Sequence, residues 1–494
     1  MLGATAMGVR AADENFRTVS IFHTTDLHGR ITPTRVLAGV ENVGGLARCA
    51  TRIRQWRRES PHSLLVDIGD VYQGTGESGL NSGNLMIGLF NRLGYDAWTL
   101  GNHDFDWGPE ALEKNLTLSQ SPILTGNIRV GGKAPGTLGG AWKSVLPWTM
   151  KEVGGYRIAL IGLVTPGLHH WLAPEILGSV VVEHPLASLQ GSIAEARAAK
   201  ADAIVVMAHM GYWPKEDDLA NPLREILKKA PGVDVLLAGH THQIQPSWSH
   251  GNVLCSQSAY FGIHCGRIDL VFDQNSRKLV ERKARTELMD GKFELDPAVM
   301  EMAAPHLKTA QVQLARKLGT VVRPVKSGGN DNPLAKLFCE CFAEALKRDQ
   351  KPVDGVYHGT FGTGDLPAGD ITVDHCYKLI PYENHLVTAE LSARDIIAVI
   401  KQGRGIKNSD RIFWPFELKL DDGGGILSFK HHGTAVADDA RFTIAFNCFD
   451  GQSANLVLSR LHEIVSAPSA KRRMTGITMR NALMDSILER GVIG

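Results

Sequence analysis

The sequence predicts an α/β fold over its first half and a separate α+β unit over its second, on three observations. Short runs that are apolar on both faces, "TVSIFHTTD", "SLLVDIGD", "DAWTLGNHD", "YRIALIGLV", "ADAIVVMAHM", "VDVLLAGHTH" and "GNVLCSQSAY", recur up to residue 260, as buried central strands do. Amphipathic stretches such as "GGLARCATRIRQWRRES" and "HPLASLQGSIAEARAAK" fall between them and favour helices. At 494 residues the chain also exceeds the ~250–300 residues that one core organises, so two domains are expected.

Composition narrows the function classes. With 43% hydrophobic and 21% charged residues, the chain is an ordinary globular protein, neither disordered nor fibrous. A formal net charge of +1 supplies no global field toward a nucleic acid polymer or an anionic membrane, so a negative substrate must be held by a local site. No apolar run approaches the ~18–20 residues of a bilayer span, and no transmembrane segment is expected. The seven cysteines are odd in number and read as packing residues rather than a disulfide framework. The opening "MLGATAMGVRAADENF" is small and apolar before it turns polar, like the end of an export signal. Residues 1–15 are therefore expected to be a signal remnant or a disordered tail, and the protein to be exported (periplasmic or extracellular), with the cytoplasm as the alternative. Oligomeric state is left open.

From "ELDPAVMEMAAPHLKTAQVQLARKLG" onward the periodicity is helical, with Asp296 as cap and Pro297 at the first position. Met300, Ala303, Leu307, Leu314 and Leu318 form a stripe, which Pro305 is expected to kink or split. The expected organisation is a catalytic domain over 16–294, a helical connector over 295–325 and a second domain over 326–494. Helices are expected in the second domain near 333–347, 392–402 and 476–490.

The decisive regularity lies at the ends of the strands. Asp26 and His28 follow the first run, Asp70 the second and Asn102 the third; His209 ends a fifth, and His240 and His242 follow a sixth. Ligands in α/β folds bind outside the carboxyl ends of strands, so these loops are expected to converge. Oxygen and imidazole donors without cysteine suit divalent Mn, Zn, Fe or Co. Seven donors exceed the need of one tetrahedral ion and suit two ions sharing a carboxylate, for which Asp70 on its Gly-flanked turn is the candidate.

The motifs "DLHG", "GDVYQGT", "GNHDFDWG", "AHMG" and "GHTH", in this order, resemble the calcineurin-like metallophosphoesterases of the 5'-nucleotidase family. The segment "DLPAGDITVDHCYKLIPYENHLVTAELSARDI" is similar to that family's C-terminal substrate domain. The resemblance implies a four-layer αββα metallophosphoesterase sandwich joined by a helical connector to an α+β substrate-binding domain. It implies Asp26, His28, Asp70 and His242 around one metal ion, and Asp70, Asn102, His209 and His240 around the other. His103 would face the substrate, oriented by Asp106, and steady the transition state at the leaving side while a metal-activated water attacks phosphorus. The implied activity is metal-dependent hydrolysis of a small-molecule phosphoester of nucleotide type. Asp104, where the family has Glu, is expected to be structural.

Substrate recognition departs from the family pattern. Thr363 stands where an arginine is expected, which removes an anionic clamp. Tyr382 in "IPYENH" is the candidate to stack a base, and Phe446 and Phe449 are the candidates for a second ring. Lys326 and Arg323 are alternative sources of positive charge or plain solvated loop residues. Other readings are bland: His23 as a hydrogen-bonded core histidine, Asp67 as a turn-capping carboxylate, His264 as strand packing, and "GTGESG" as part of the metal loop rather than a dinucleotide fingerprint. The rivals are a relative acting on cyclic nucleotides, nucleotide sugars or a sulfur ester, and a non-catalytic nucleotide-binding or surface adhesion protein.

Overall fold

A computed structural model describes residues 15–33, 41–329, 331–406, 409–452 and 457–494. Residues 1–14, on which the export expectation rests, lie outside them. Six strands carry the argument: β1 (Phe16–Thr24), β2 (Ser63–Asp67), β3 (Ala97–Thr99), β4 (Tyr156–Val164), β5 (Ala203–His209) and β6 (Val235–Ala238).

The first sheet has seven strands, with β1 between β2, parallel, and His264–Asp273, antiparallel; β3 follows β2 in parallel. The second has six, in which β4, β5 and β6 run parallel side by side. Alternation along each strand explains why both sheets are covered on both faces. Val19, Ile21, Leu64 and Val66 point toward Ile158, Leu160, Val205 and Met207 of the second sheet, forming the core between the sheets. Phe22 and Leu65 point the other way, onto the helix Leu46–Glu59, where Phe22 and Trp56 have ring centroids 5.3 Å apart. On the far side, Ile204, Val206 and Ala208 meet the helices Pro185–Ala198 and Leu223–Lys229. The layers therefore run helix, sheet, sheet, helix, and the strand-end loops of both sheets come out on one rim.

The helix Pro297–Leu314 links this sandwich to the rest. Asp296 caps it by accepting the N–H groups of Ala298 and Val299, each at 3.0 Å, and its carboxylate also pairs with Arg54. Pro305 does not split this helical element, contrary to that part of the expectation. It sits on an exposed face, where the carbonyl it leaves unpaired meets water. Leu318 is buried but is not part of the helical stripe; it lies in the strand Lys317–Val321, which pairs with Gly369–Thr372 and Val492–Ile493.

The second half builds a five-stranded sheet with Gly355–His358 and Arg441–Asn447 parallel at its centre, packed by the helices Pro333–Arg348, Ala393–Gly405 and Met479–Arg490. All seven cysteines are buried and free, as packing residues. No helix among the described residues is long and apolar enough to cross a membrane. The two halves touch directly: Gln73 Nε2 donates to Pro381 O at 2.9 Å, and Arg472 grips Glu175 through two contacts of 2.7 and 3.3 Å.

His264 bonds Thr286 across its strand pair at 3.1 Å, and Asp67 accepts Thr24 Oγ1 at 2.6 Å and Gly69 N at 2.8 Å, both as expected. His23 corrects its reading. It is fully buried with neither ring nitrogen hydrogen-bonded among the described residues, and burial pushes its pKa down to about 3. It is a neutral packing ring. Replacing Asp296 by Ala removes a cap that serves two N–H groups, and should cost about 1–2 kcal/mol of stability, read as a lower urea midpoint for the sandwich.

Candidate active site

The strands β1, β2 and β6 are followed by sharp turns that throw polar side chains inward. Asp26, His28, Asp70, His240 and His242 all adopt positive φ, between 48° and 69°. This left-handed region is costly for residues with a Cβ, and such strain gathers at functional sites. Two glycines make room. A Cβ on Gly101 would lie 2.1 Å from Asp70 Oδ1, and one on Gly69 would lie 2.6 Å from the Gly101 nitrogen.

Six of the seven expected donors form two clusters, Asp26 with His28 and His242, and Asp70 with His209 and His240, each with its ligand atoms within 4.8 Å of one another. The two are adjacent. Asp70 Oδ2 lies 3.2 Å from His209 Nε2 and 3.6 Å from His28 Nε2, so its carboxylate faces both. The seventh, Asn102, has a buried Oδ1 with no hydrogen-bond partner among the described residues. Imidazole tautomers are set from behind. His28 Nδ1 bonds Gln73 O at 2.8 Å and His209 Nδ1 bonds Ile68 O at 2.6 Å, which turns both Nε2 atoms inward.

The donor set fits a pair of divalent cations. Two donors each ~2.1 Å from one ion stand roughly 3–3.5 Å apart; His28 Nε2 and His242 Nε2 are 3.1 Å apart, and His242 Nε2 and Asp26 Oδ1 are 3.4 Å apart. Burial pushes His28 down to about 3 and His240 to about 4, keeping them neutral as ligands must be. His209 behaves in the opposite sense. Burial would lower it, but Asp70 and Asp26 outweigh burial and lift it to about 10. Without a cation, a proton on His209 supplies the positive charge that the two aspartates demand.

Beside the clusters, His103 Nδ1 contacts Asp106 Oδ2 at 2.7 Å. Burial opposes protonation of His103, yet Asp106 and Asp70 hold its pKa up at about 9. Asp104 takes a structural place: its carboxylate accepts N–H groups from Asp70, Val71 and Gly101 at 3.1, 2.9 and 2.8 Å, tying two strand-end loops together. A cleft of about 260 Å³ opens from His103, Asn102 and His240 toward the second half.

The sequence profile of the calcineurin-like phosphoesterases matches residues 19–244, and that of the 5'-nucleotidase C-terminal domain matches residues 315–455. The chain belongs to the calcineurin-like phosphoesterases that carry a 5'-nucleotidase C-terminal domain. It is 32% identical over 230 residues to the 5'-nucleotidase of Bos taurus, a match covering 45% of this chain and 38% of that protein. It is 23% identical over 484 residues to the trifunctional nucleotide phosphoesterase protein YfkN of Bacillus subtilis, covering 88% of this chain and 32% of that one. The chain thus spans about a third of the length of these relatives. Among solved structures, a 5'-nucleotidase precursor from Thermus thermophilus superposes with a TM-score of 0.70 at 24% identity, over 97% of both chains. A 5'-nucleotidase from Staphylococcus aureus, described as putative and bound to alpha-ketoglutarate, gives 0.78 at 19% identity, covering 95% of this chain and 96% of that one. These two likenesses show the fold.

In this member of the family the residues expected to recognise substrate sort less simply than the donors. Tyr382 and Phe449 line the cleft. Phe446 does not: it is fully buried, facing the core from the strand Arg441–Asn447, and is corrected to a packing residue. Tyr382 stacks on His103, centroids 6.0 Å apart at 18°, with Phe361 at 5.6 Å, so its ring has the His103 imidazole as a neighbour. Thr363 is exposed and donates to Leu379 O at 3.0 Å, and Lys326 pairs with Asp365 at 2.8 Å. Arg323 is exposed. These three do not line the cleft. Sequence reasoning missed Trp171, Asn384, Arg411 and Asp450, which do line it. Asn384 lies two residues after Tyr382 in "IPYENH" and Asp450 directly follows Phe449, so each sits beside a candidate ring; Arg411 and Trp171 carry no spacing signal.

At pH 7.5 His209 is protonated in the metal-free protein, because its pKa stands at about 10, and ligation needs the neutral ring. Titration with Mn²⁺ or Zn²⁺ should therefore release protons, and affinity should rise with pH up to about 10, measured by calorimetry in buffers of differing ionisation enthalpy. Gly101→Ala should lower the bound-metal stoichiometry of a folded protein by displacing Asp70, read by elemental analysis.

Proposed function

We propose that this chain is a two-metal hydrolase of phosphate monoesters, with nucleotides as the leading substrate class. One observation carries the reading: two donor clusters meet at Asp70 beside the His103–Asp106 pair, at the mouth of a cleft walled by both halves. Asp26, His28 and His242 would hold one cation and Asn102, His209 and His240 the other, with Asp70 shared. Such ions supply positive charge for the phosphoryl oxygens and an acidified water as nucleophile, so no covalent enzyme intermediate is required.

The chain's own residues do the rest. Asp106 fixes the His103 ring through Nδ1 and keeps it protonated, leaving Nε2 to donate a hydrogen bond to a phosphoryl or leaving oxygen as negative charge grows there. His103 N–H donates to Asp70 Oδ1 at 2.8 Å, which ties the position of the imidazole to that of the shared carboxylate. The rings of Trp171, Tyr382 and Phe449 and the amide of Asn384 offer an apolar wall with polar edges, suited to a base and its sugar.

His103→Ala should reduce metal-dependent phosphate release by roughly 10²–10⁴-fold while leaving the metal content unchanged. Equal activity in the variant and the wild type would defeat the assignment.

A further inference from the structure

Away from the metal-facing end, the described residues put a single pair of opposite charges in the cleft wall. Arg411 donates through Nη2 and Nε to Asp450 Oδ1 and Oδ2 at 2.8 and 3.1 Å, and Asn447 Nδ2 donates to the same carboxylate at 2.9 Å. Asp450 is 1% exposed and Arg411 23%, so the carboxylate is shut in while the guanidinium borders the cleft. The pair closes on itself and its formal charges cancel. No lysine and no other arginine among the described residues lines the cleft. The other polar side chains of that wall are Asn384, Asn447, Thr360 and His358, the last kept neutral by burial, which lowers its pKa.

Solvation then decides what the cleft accepts. An anionic group entering it loses water and needs a free cation, but Arg411 is already held in a two-pronged pair. Detaching Arg411 would strand a buried carboxylate, which is costlier still. A hydroxylated or aromatic group without charge meets amides, a hydroxyl and the rings of Trp171, Phe361 and Phe449 with no such penalty.

Resting on the phosphoester reading above, we propose that the Arg411–Asp450 pair sets leaving-group specificity, so that the cleft selects phosphate monoesters of uncharged alcohols and rejects those whose alcohol carries a second anionic group. The pair acts by neutrality: it offers hydrogen bonds without offering net charge.

The test compares kcat/KM within matched pairs on the metal-loaded protein, glycerol 3-phosphate against 3-phosphoglycerate, and adenosine 5'-monophosphate against adenosine 3',5'-bisphosphate. p-Nitrophenyl phosphate reports the hydrolytic centre by itself. The wild type should favour the uncharged member of each pair by about tenfold or more. Asp450→Asn, which frees the guanidinium, should shrink that ratio about tenfold, and Arg411→Gln, which frees the carboxylate, should widen it by a similar factor. The double variant, neutral again, should return toward the wild-type ratio. Equal kcat/KM within both pairs for the wild type would overturn the proposal. So would a ratio that neither single variant moves while p-nitrophenyl phosphate is still hydrolysed. If Asp450→Asn fails to fold, Arg411→Gln decides the matter: an unchanged ratio overturns the proposal. A wild type that releases phosphate from none of the five esters overturns the hydrolase reading itself, which separates the two failures.

Discussion

Two aspartates and four histidines are packed into one buried pocket, and most of the surrounding architecture answers to the cost of that crowding. Like charges at these distances repel strongly once water is excluded. The protein contains the repulsion by directing backbone N–H groups at the carboxylates, as His240 N does to Asp26 Oδ1 at 3.0 Å. It sets imidazole tautomers from outside the pocket and lets a proton on His209 substitute for missing positive charge. What remains is a donor set of the kind that divalent cations satisfy. The parallel sheets matter because they deliver loops from five strands to one rim with little freedom to drift.

The second half does more than add a wall. Pro381 accepts a hydrogen bond from Gln73, in the loop that also orients His28, and the neighbouring Tyr382 lies over His103. The candidate base-stacking ring and the imidazole that would face the phosphoryl group therefore share a surface. The Arg472–Glu175 contact ties the second half to the segment four residues after Trp171, which lines the cleft.

Much of this was legible in the chain because period-2 burial and polar strand ends are local patterns. β1, β2 and β5 each alternate between two cores, so the apolar runs marked them, and the first donor stands at the strand end or within three residues of it. The helices Pro333–Arg348 and Met479–Arg490 were similarly plain, since capping and periodicity coincide there. Recognition was less legible for a physical reason. Arg411, Trp171 and Asp450 come from unrelated segments, and only the tertiary fold makes them neighbours. Phe446 and Phe449 look equivalent in the chain, yet the strand ends at Asn447, so the first ring faces the core and the second, on the following helical turn, reaches the cleft. His23 misled because burial alone, with no partner, sufficed to keep it neutral.

The left-handed turns at Asp26, His28, Asp70, His240 and His242 act as a filter on variation that is independent of metal chemistry. β-Branched residues are strained at such dihedrals, whereas asparagine, aspartate, histidine and glycine tolerate them. A descendant that abandoned its cations but kept its rim would drift among those few residue types. Loss of chemistry would then leave a recognisable fossil in the loops, written by backbone shape rather than by function.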